Sequence, residues 1–317
     1  MSGDRSPAVV GVDVGGSGLR LQWSYAGEPG PVLTAPGVRI GSGGVDVGAL
    51  AADAARLLSE GGVGDVAAVC WSQRGLLFLS DPVEVVRVVS GALGAARTAV
   101  VSDAVASLVG ALGGVRPGAV VAAGTGAVAF GSDFGSADTS VWRLVDGWGH
   151  VLGDRGSAAG LGLEGLRAGL RFHDGLPGGS GRLLAEGESA FGATSHWPRR
   201  VMTGTDAPAL LASFAPRVAE AATRGDAVAA RICREAGESL AESLLSAARG
   251  IASPVLVATG GLLGAEPVRS ALEAAVAESG AALTPAVGGA LDGALHLATV
   301  LAETGTIPRH PAYVHLS

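Results

Sequence analysis

At 317 residues, with 48% hydrophobic and 16% charged side chains, the chain has room for about two ordinary domains and is not a disordered segment. The formal net charge of −7 argues against a nucleic-acid footprint. All 22 basic residues are arginines, because the sequence holds no lysine; it holds no asparagine either. That excludes a P-loop kinase, whose motif lysine meets the β- and γ-phosphates, and leaves a phosphate site to backbone amides, hydroxyls, arginine or metal.

In chain order, the apolar run 9–14 reads as a buried strand, followed by a Gly-Gly turn, a second strand at 19–26 and a third at 31–36. Residues 45–60 carry Val47, Leu50, Ala54, Leu57 and Leu58 at helical spacing. A buried strand at 65–71, a helix after Pro82, a strand at 98–102 and a helix from near Asp103 complete an α/β alternation. The opening then repeats: strand 118–123, a Gly-Thr-Gly turn, strand 127–131 and a third strand at 141–145. Residues 157–172 read as a helix. Residues 173–207, rich in Gly, Ser and Pro, read as a surface loop or lid. Residues 226–249 form the clearest helix, with Val228, Ile232, Ala236, Leu240 and Leu244 at spacing four. A strand at 255–258 and helices at 265–279 and 288–302 close the chain.

Cys70 and Cys233 are far apart and form no CxxC, so zinc or redox motifs are not expected and a reduced cytoplasm is. The first residues, with Asp4, Arg5 and an apolar run cut by Asp13, do not read as a signal peptide. The longest stretches without Asp, Glu or Arg fall short of the ~20 residues that span a bilayer. No membrane and no nucleic-acid partner are expected.

Five segments can carry chemistry. In GVDVGGSGLR (11–20) a glycine turn lets phosphate approach backbone amides, Ser17 adds a hydroxyl, and Asp13 at the strand end can hold a metal or its water. An ordinary hairpin with a solvated Asp is the alternative. GTGAVAF (124–130) is a second such hairpin, with Thr125 adding a hydroxyl. Two glycine hairpins in matching places of two halves look like jaws on one polyphosphate. Asp103, where a buried strand meets a helix, is either an N-cap or a general base at the carboxyl end of a strand. DGWGHVLGDRGSAAGLG (146–162) is dense in glycine; Asp154 can bond sugar hydroxyls and Trp148 can give an apolar wall, or the segment is a connector. ATGGLLG (258–264) places two glycines at a helix start, suited to a nucleotide or to a plain turn.

The order DVGGS, SDA, GTG, GWGHVLGDRGSA and TGG resembles the acetate kinase, sugar kinase, heat-shock protein and actin superfamily, from about residue 9 to 302. Within it the chain is similar to the BadF/BadG/BcrA/BcrD-type ATPases and their N-acetylglucosamine kinase members. The resemblance implies an α/β fold of two actin-like, ribonuclease H-like domains around a nucleotide cleft. The domains would span 1–116 and 117–287, with 288–302 packing back on the first. It implies ATP and Mg²⁺, with Gly15, Gly16, Ser17, Gly124, Thr125, Gly126, Gly260 and Gly261 at the nucleotide and Asp13 at the metal. It implies Asp103 as catalytic base and Gly147, Trp148 and Asp154 at the sugar. The activity implied is phosphorylation of a primary hydroxyl of an amino sugar, N-acetylglucosamine to its 6-phosphate, with glucosamine or a sugar-like molecule as alternative acceptor. It leaves a homodimer open.

The chain departs from the family at several places. Ala127 replaces the usual Ser or Asn after GTG, Arg155 stands where Glu is usual, segment 36–48 has no Asn, and WSQRG (71–75) replaces a small Gly-Ser turn. A non-kinase ATPase that activates a dehydratase through a cysteine-held iron–sulfur cluster is disfavoured by the placement of Cys70 in a predicted core strand and Cys233 on a predicted helix. A regulatory nucleotide-binding module without turnover is the third reading.

Overall fold

A computed structural model describes residues 7–15, 18–37, 40–41, 44–135, 139–203 and 206–317. The first half runs β1 (Ala8–Val14), β2 (Leu19–Tyr25), β3 (Glu28–Pro29), β4 (Leu33–Ala35), β5 (Ile40–Gly41), β6 (Gly44–Val45), α1 (Val47–Glu60), β7 (Val66–Gln73), α2 (Leu76–Leu79), α3 (Pro82–Leu93), β8 (Arg97–Ser102) and α4 (Asp103–Leu112). The second half opens with β9 (Gly118–Ala123), β10 (Ala127–Ser132) and β11 (Trp142–Asp146), then α5 (Ala158–His173). Then come α6 (Gly181–Phe191), α7 (Trp197–Thr203), α8 (Ala207–Ala212), α9 (Ala215–Thr223) and α10 (Ala227–Ala247). The chain ends with β12 (Val255–Thr259), α11 (Glu266–Glu278), β13 (Leu283–Thr284), α12 (Ala290–Thr304) and β14 (Val314–Leu316).

The two halves share one strand order. In the first sheet β4 and β1 flank β2, and β7 and β8 follow β1 in parallel. In the second, β11, β10 and β9 form the antiparallel part, and β12 and β13 follow β9 in parallel. The α/β fold with a duplicated meander is therefore present. The central strands are buried along nearly their whole length, as parallel strands covered on both faces must be.

Helices α4 and α12 lie between the sheets. One apolar cluster joins Cys70 and Val101 of the first sheet, Val120, Phe130 and Val257 of the second, and Ala106, Leu108, Leu297 and Leu301 of these helices. Their closeness explains glycines on both: a side chain on Gly293 would collide with the Ala106 carbonyl, and one on Gly110 with the Gly289 carbonyl. A Cβ on Gly11 would come within 2.5 Å of the Leu295 amide nitrogen, so α12 also rests on β1.

The reading of 173–207 as loop or lid is corrected. The segment contains α6, a 3-10 turn at Thr194–His196 and α7. Its glycines serve close packing, not chain freedom: a side chain on Gly187 would strike the Trp197 ring, and one on Gly179 the Phe172 backbone. Leu183, Phe191 and Trp197 bury themselves in the second-half core.

The C-terminal segment adds a strand that the sequence pattern did not reveal. Strand β14 pairs antiparallel with β8. Tyr313 just before it stacks on Trp142 of β11, with ring centroids 6.4 Å apart and planes 11° apart. The tail thus ties the edge of the first sheet to the second.

Candidate active site

The carboxyl ends of three adjacent parallel strands form the first-half edge. Asp13 of β1 is in register with Ser72 of β7, and Gln73 of β7 is in register with Val14 on one side and Ser102 on the other. Asp13 is 4% exposed, and its carboxylate accepts hydrogen bonds from Ser72 Oγ at 3.2 Å and from Arg20 at 2.5 Å. Arg20 faces Asp13 directly across the β1–β2 hairpin. A buried charge requires such partners. The Gly15 N–H donates to the Gly18 carbonyl at 3.0 Å and closes the turn. Gly16 and Ser17 lie outside the described residues.

Asp103 is the first residue of α4, but it is not the cap. Ser102 takes that part, accepting from the Val105 N–H at 3.4 Å. The Asp103 carboxyl is thereby released from the structural task that its position first suggests. Burial pushes it up to about 6, against the opposing pull of the Arg74 guanidinium and the backbone amides of Ala104 and its own residue; the Asp13 carboxylate adds to the rise.

The second-half edge is built differently. The Gly124 N–H donates to the Gly126 carbonyl at 2.9 Å. The Gly124 and Thr125 carbonyls accept from the first amides of α5, Ala158 at 2.9 Å and Ala159 at 3.1 Å. The turn is therefore docked on a helix N-terminus whose orphan amides it satisfies. Gly124 and Gly261 face open space, whereas a Cβ on Gly126 would sit 2.7 Å from an Asp154 oxygen. Gly260, at φ 109°, packs so closely on the Ala123 carbonyl that only glycine fits. Two of the six described nucleotide candidates, Gly126 and Gly260, are thus glycine for packing reasons, and two more, Gly124 and Gly261, leave room above the backbone.

The 146–157 loop hangs on a residue that sequence reasoning did not single out. The buried Asp146 carboxylate accepts from the backbone amides of Gly147 at 2.8 Å, Asp154 at 2.7 Å and Arg155 at 2.8 Å. Its only sequence signal is an acid immediately before Gly-Trp-Gly. Asp146 and Asp154 both adopt positive φ, 63° and 55°, a conformation that Asp tolerates better than most residues. Asp154 is 5% exposed; burial raises its carboxyl, opposed by Arg74 and the Ala127 amide, then raised further by Asp146 and lowered by the Gly149 amide. Gly147, at φ 77°, backs onto Val128. Trp148 is 60% exposed and lines a surface groove with Arg143, Leu152 and Arg155.

Two departures from the family pattern find structural reasons. The Ala127 methyl is buried in the second-half core. Arg155 turns away from Asp154 to bond Glu242 at 3.0 Å and Asp146 at 3.5 Å. A further departure, WSQRG (71–75), brings Arg74 to the end of β7. Its charge opposes the rise of the Asp103 carboxyl in the first half and of the Asp154 carboxyl in the second. Cys70 and Cys233 are fully buried in separate cores, and burial pushes both thiols up, that of Cys233 to about 11.

A divalent ion would find hard oxygen donors at Asp13. Among the described residues no group of three or more His, Cys, Asp or Glu could hold a metal. One carboxylate plus phosphate and water ligands is nonetheless a donor set that suits magnesium. No helix among the described residues is long and apolar enough to cross a membrane.

Residues 81–293 match the model of the BadF/BadG/BcrA/BcrD ATPase family. The fold is similar to that of a candidate N-acetylglucosamine kinase from Chromobacterium violaceum, 25% identical, covering 92% of this chain and 99% of that one, with a TM-score of 0.70. It is similar to a second candidate N-acetylglucosamine kinase, from Porphyromonas gingivalis, 17% identical, covering 94% and 100%, TM-score 0.70. A ROK family glucokinase from Streptomyces griseus, solved with glucose and AMPPNP, is 17% identical over 92% and 98%, TM-score 0.55. No curated protein matches the chain.

Proposed function

Because the chain belongs to the BadF/BadG/BcrA/BcrD ATPase family, we propose that it is an ATP-dependent sugar kinase that phosphorylates the primary hydroxyl of an amino sugar, N-acetylglucosamine to its 6-phosphate. The observation that carries this reading is Asp103. It is a carboxyl at the end of a buried parallel strand, relieved of capping by Ser102 and raised to about 6 by burial. Such a group is mostly ionised at neutral pH yet basic enough to take a proton from a hydroxyl as that oxygen attacks phosphorus.

The other residues have distinct tasks. The hairpin at Gly15 and the turn at Gly124–Gly126, with open space above Gly124, would hold the polyphosphate, and Gly260 and Gly261 would lie at the nucleoside end. The Asp154 carboxylate would accept hydrogen bonds from acceptor hydroxyls, with Gly147 and Trp148 beside it in the same loop. Asp13 would hold magnesium directly or through water, and the ion would supply charge neutralisation for the β- and γ-phosphates. The similar structure from Chromobacterium violaceum is a candidate N-acetylglucosamine kinase, which is why this acceptor is preferred to glucosamine. The test is ADP release over a panel of hexoses and amino sugars. N-acetylglucosamine should give the highest kcat/KM; release that no acceptor stimulates would overturn the kinase.

A further inference from the structure

Arg74 has no place in the reading above, yet it stands at the centre of the first-half edge. Its backbone N–H donates to the Val14 carbonyl at 3.0 Å. Gln73 is in register with Val14 and Ser102. Arg74 is therefore level with Gly15 on one side and Asp103 on the other, between the first phosphate hairpin and the proposed base.

The backbone beneath it is fixed. Trp71, fully buried, donates through Nε1 to Gln73 Oε1 at 3.0 Å, and Gln73 Nε2 donates to Ser80 Oγ at 2.6 Å. Both anchors lie in the segment that replaces a small turn. The side chain, in contrast, is exposed, and among the described residues its guanidinium has no hydrogen-bond or ion-pair partner. Other arginines of this region are spoken for: Arg20 by Asp13, Arg155 by Asp146 and Glu242. In a chain without lysine, Arg74 is, among the described residues of this edge, a cation free to meet an anion.

We propose that Arg74 is a catalytic residue whose guanidinium binds the oxygens of the phosphoryl group in flight. The proposal rests on the kinase reading. In the step, the acceptor hydroxyl gives its proton to Asp103 and its oxygen forms a bond to the γ-phosphorus. The bond from that phosphorus to the β–γ bridging oxygen breaks, and ADP leaves with the electron pair. The proton on Asp103 passes to water. Charge builds on the three equatorial oxygens, and a planar fork of donors carried on an anchored backbone can meet two of them at once. The influence of Arg74 on Asp103 and Asp154 together agrees with a guanidinium lying where donor and acceptor meet.

The test uses the full chain with Arg74→Ala and Arg74→Lys, read by steady-state kinetics and by calorimetric titration with ADP, with and without aluminium fluoride. In Arg74→Ala, kcat should fall by about 10²–10³-fold, as for loss of a donor to a transition-state oxyanion. The acceptor KM and ADP affinity should stay within about threefold, and Lys should recover part of the rate. Aluminium fluoride should tighten ADP binding in the wild type and lose at least tenfold of that tightening in Arg74→Ala. Retention of kcat, or a loss confined to the acceptor KM, would overturn the proposal. Should no acceptor stimulate ADP release, the kinase reading falls, while the fluoride titration still decides Arg74: equal tightening, or none, in both proteins rejects it.

Discussion

The two halves have the same strand order but use their polar groups in opposite ways. At the second-half edge nearly every group has a structural partner. The Gly124 and Thr125 carbonyls hold α5, Asp146 holds three amides, and the Asp154 carboxylate packs against Gly126 of the turn. At the first-half edge the cap is delegated to Ser102, Asp103 is left with a raised carboxyl, and Arg74 has no partner among the described residues. The lesson is that a duplicated topology need not duplicate chemistry. One edge is a rigid platform for ligand placement, and the other keeps the unsatisfied charges that a reaction requires, at a stability cost.

Substituting Asp103 breaks the comparison most sharply. Asp103→Asn should lower kcat by about 10²–10⁴-fold. Stability should move the other way. A carboxyl raised in the fold favours its protonated form, so its stabilising contribution is complete below the unfolded value near 4 and is lost as pH rises through about 6. At neutral pH the charged form therefore costs roughly 2–3 kcal/mol, which Asn removes. The variant should melt a few degrees higher at neutral pH, and that gain should vanish below about pH 4. A lower melting temperature at neutral pH would mean that Asp103 is structural.

Asp154 probes the platform. Asp154→Ala should raise the acceptor KM by about tenfold or more and should also raise the KM for ATP, because the carboxylate packs against Gly126 of the glycine turn. A change in acceptor KM alone would show that the turn stands without it. The smallest effect belongs to Arg155, which is half exposed, bonds the exposed Glu242 at 3.0 Å and sits more loosely, at 3.5 Å, by Asp146. Arg155→Ala should cost about 1 kcal/mol or less and leave the acceptor ranking as it was. A reordered panel would move Arg155 into the sugar site.

Much of this was legible in the sequence, because glycine turns after apolar runs announce strand ends, and the acids beside them can be located to a residue. Asp13, Asp103 and the Gly124–Gly126 turn emerged in that way. What stayed hidden depended on neighbours distant in the chain. Gly179 and Gly187 read as loop formers, yet they are glycine because Phe172 and Trp197 press on them. Asp146 read as the start of a connector, and only its positive φ reveals the amides around it. Strand β14 is too short for periodicity and exists through its pairing with β8. Arg74 read as a misplaced bulky cation, and its meaning comes from the register of three strands.

The most direct measurement of the division between the edges is the pH dependence of kcat/KM for the acceptor at saturating ATP. If Asp103 is the base, only its ionised form works, and the rate should fall about tenfold per pH unit below an apparent value near 6, with no such limb in the residual activity of Asp103→Asn. A wild-type profile flat from pH 7 down to pH 5, or a limb that persists in Asp103→Asn, would contradict it.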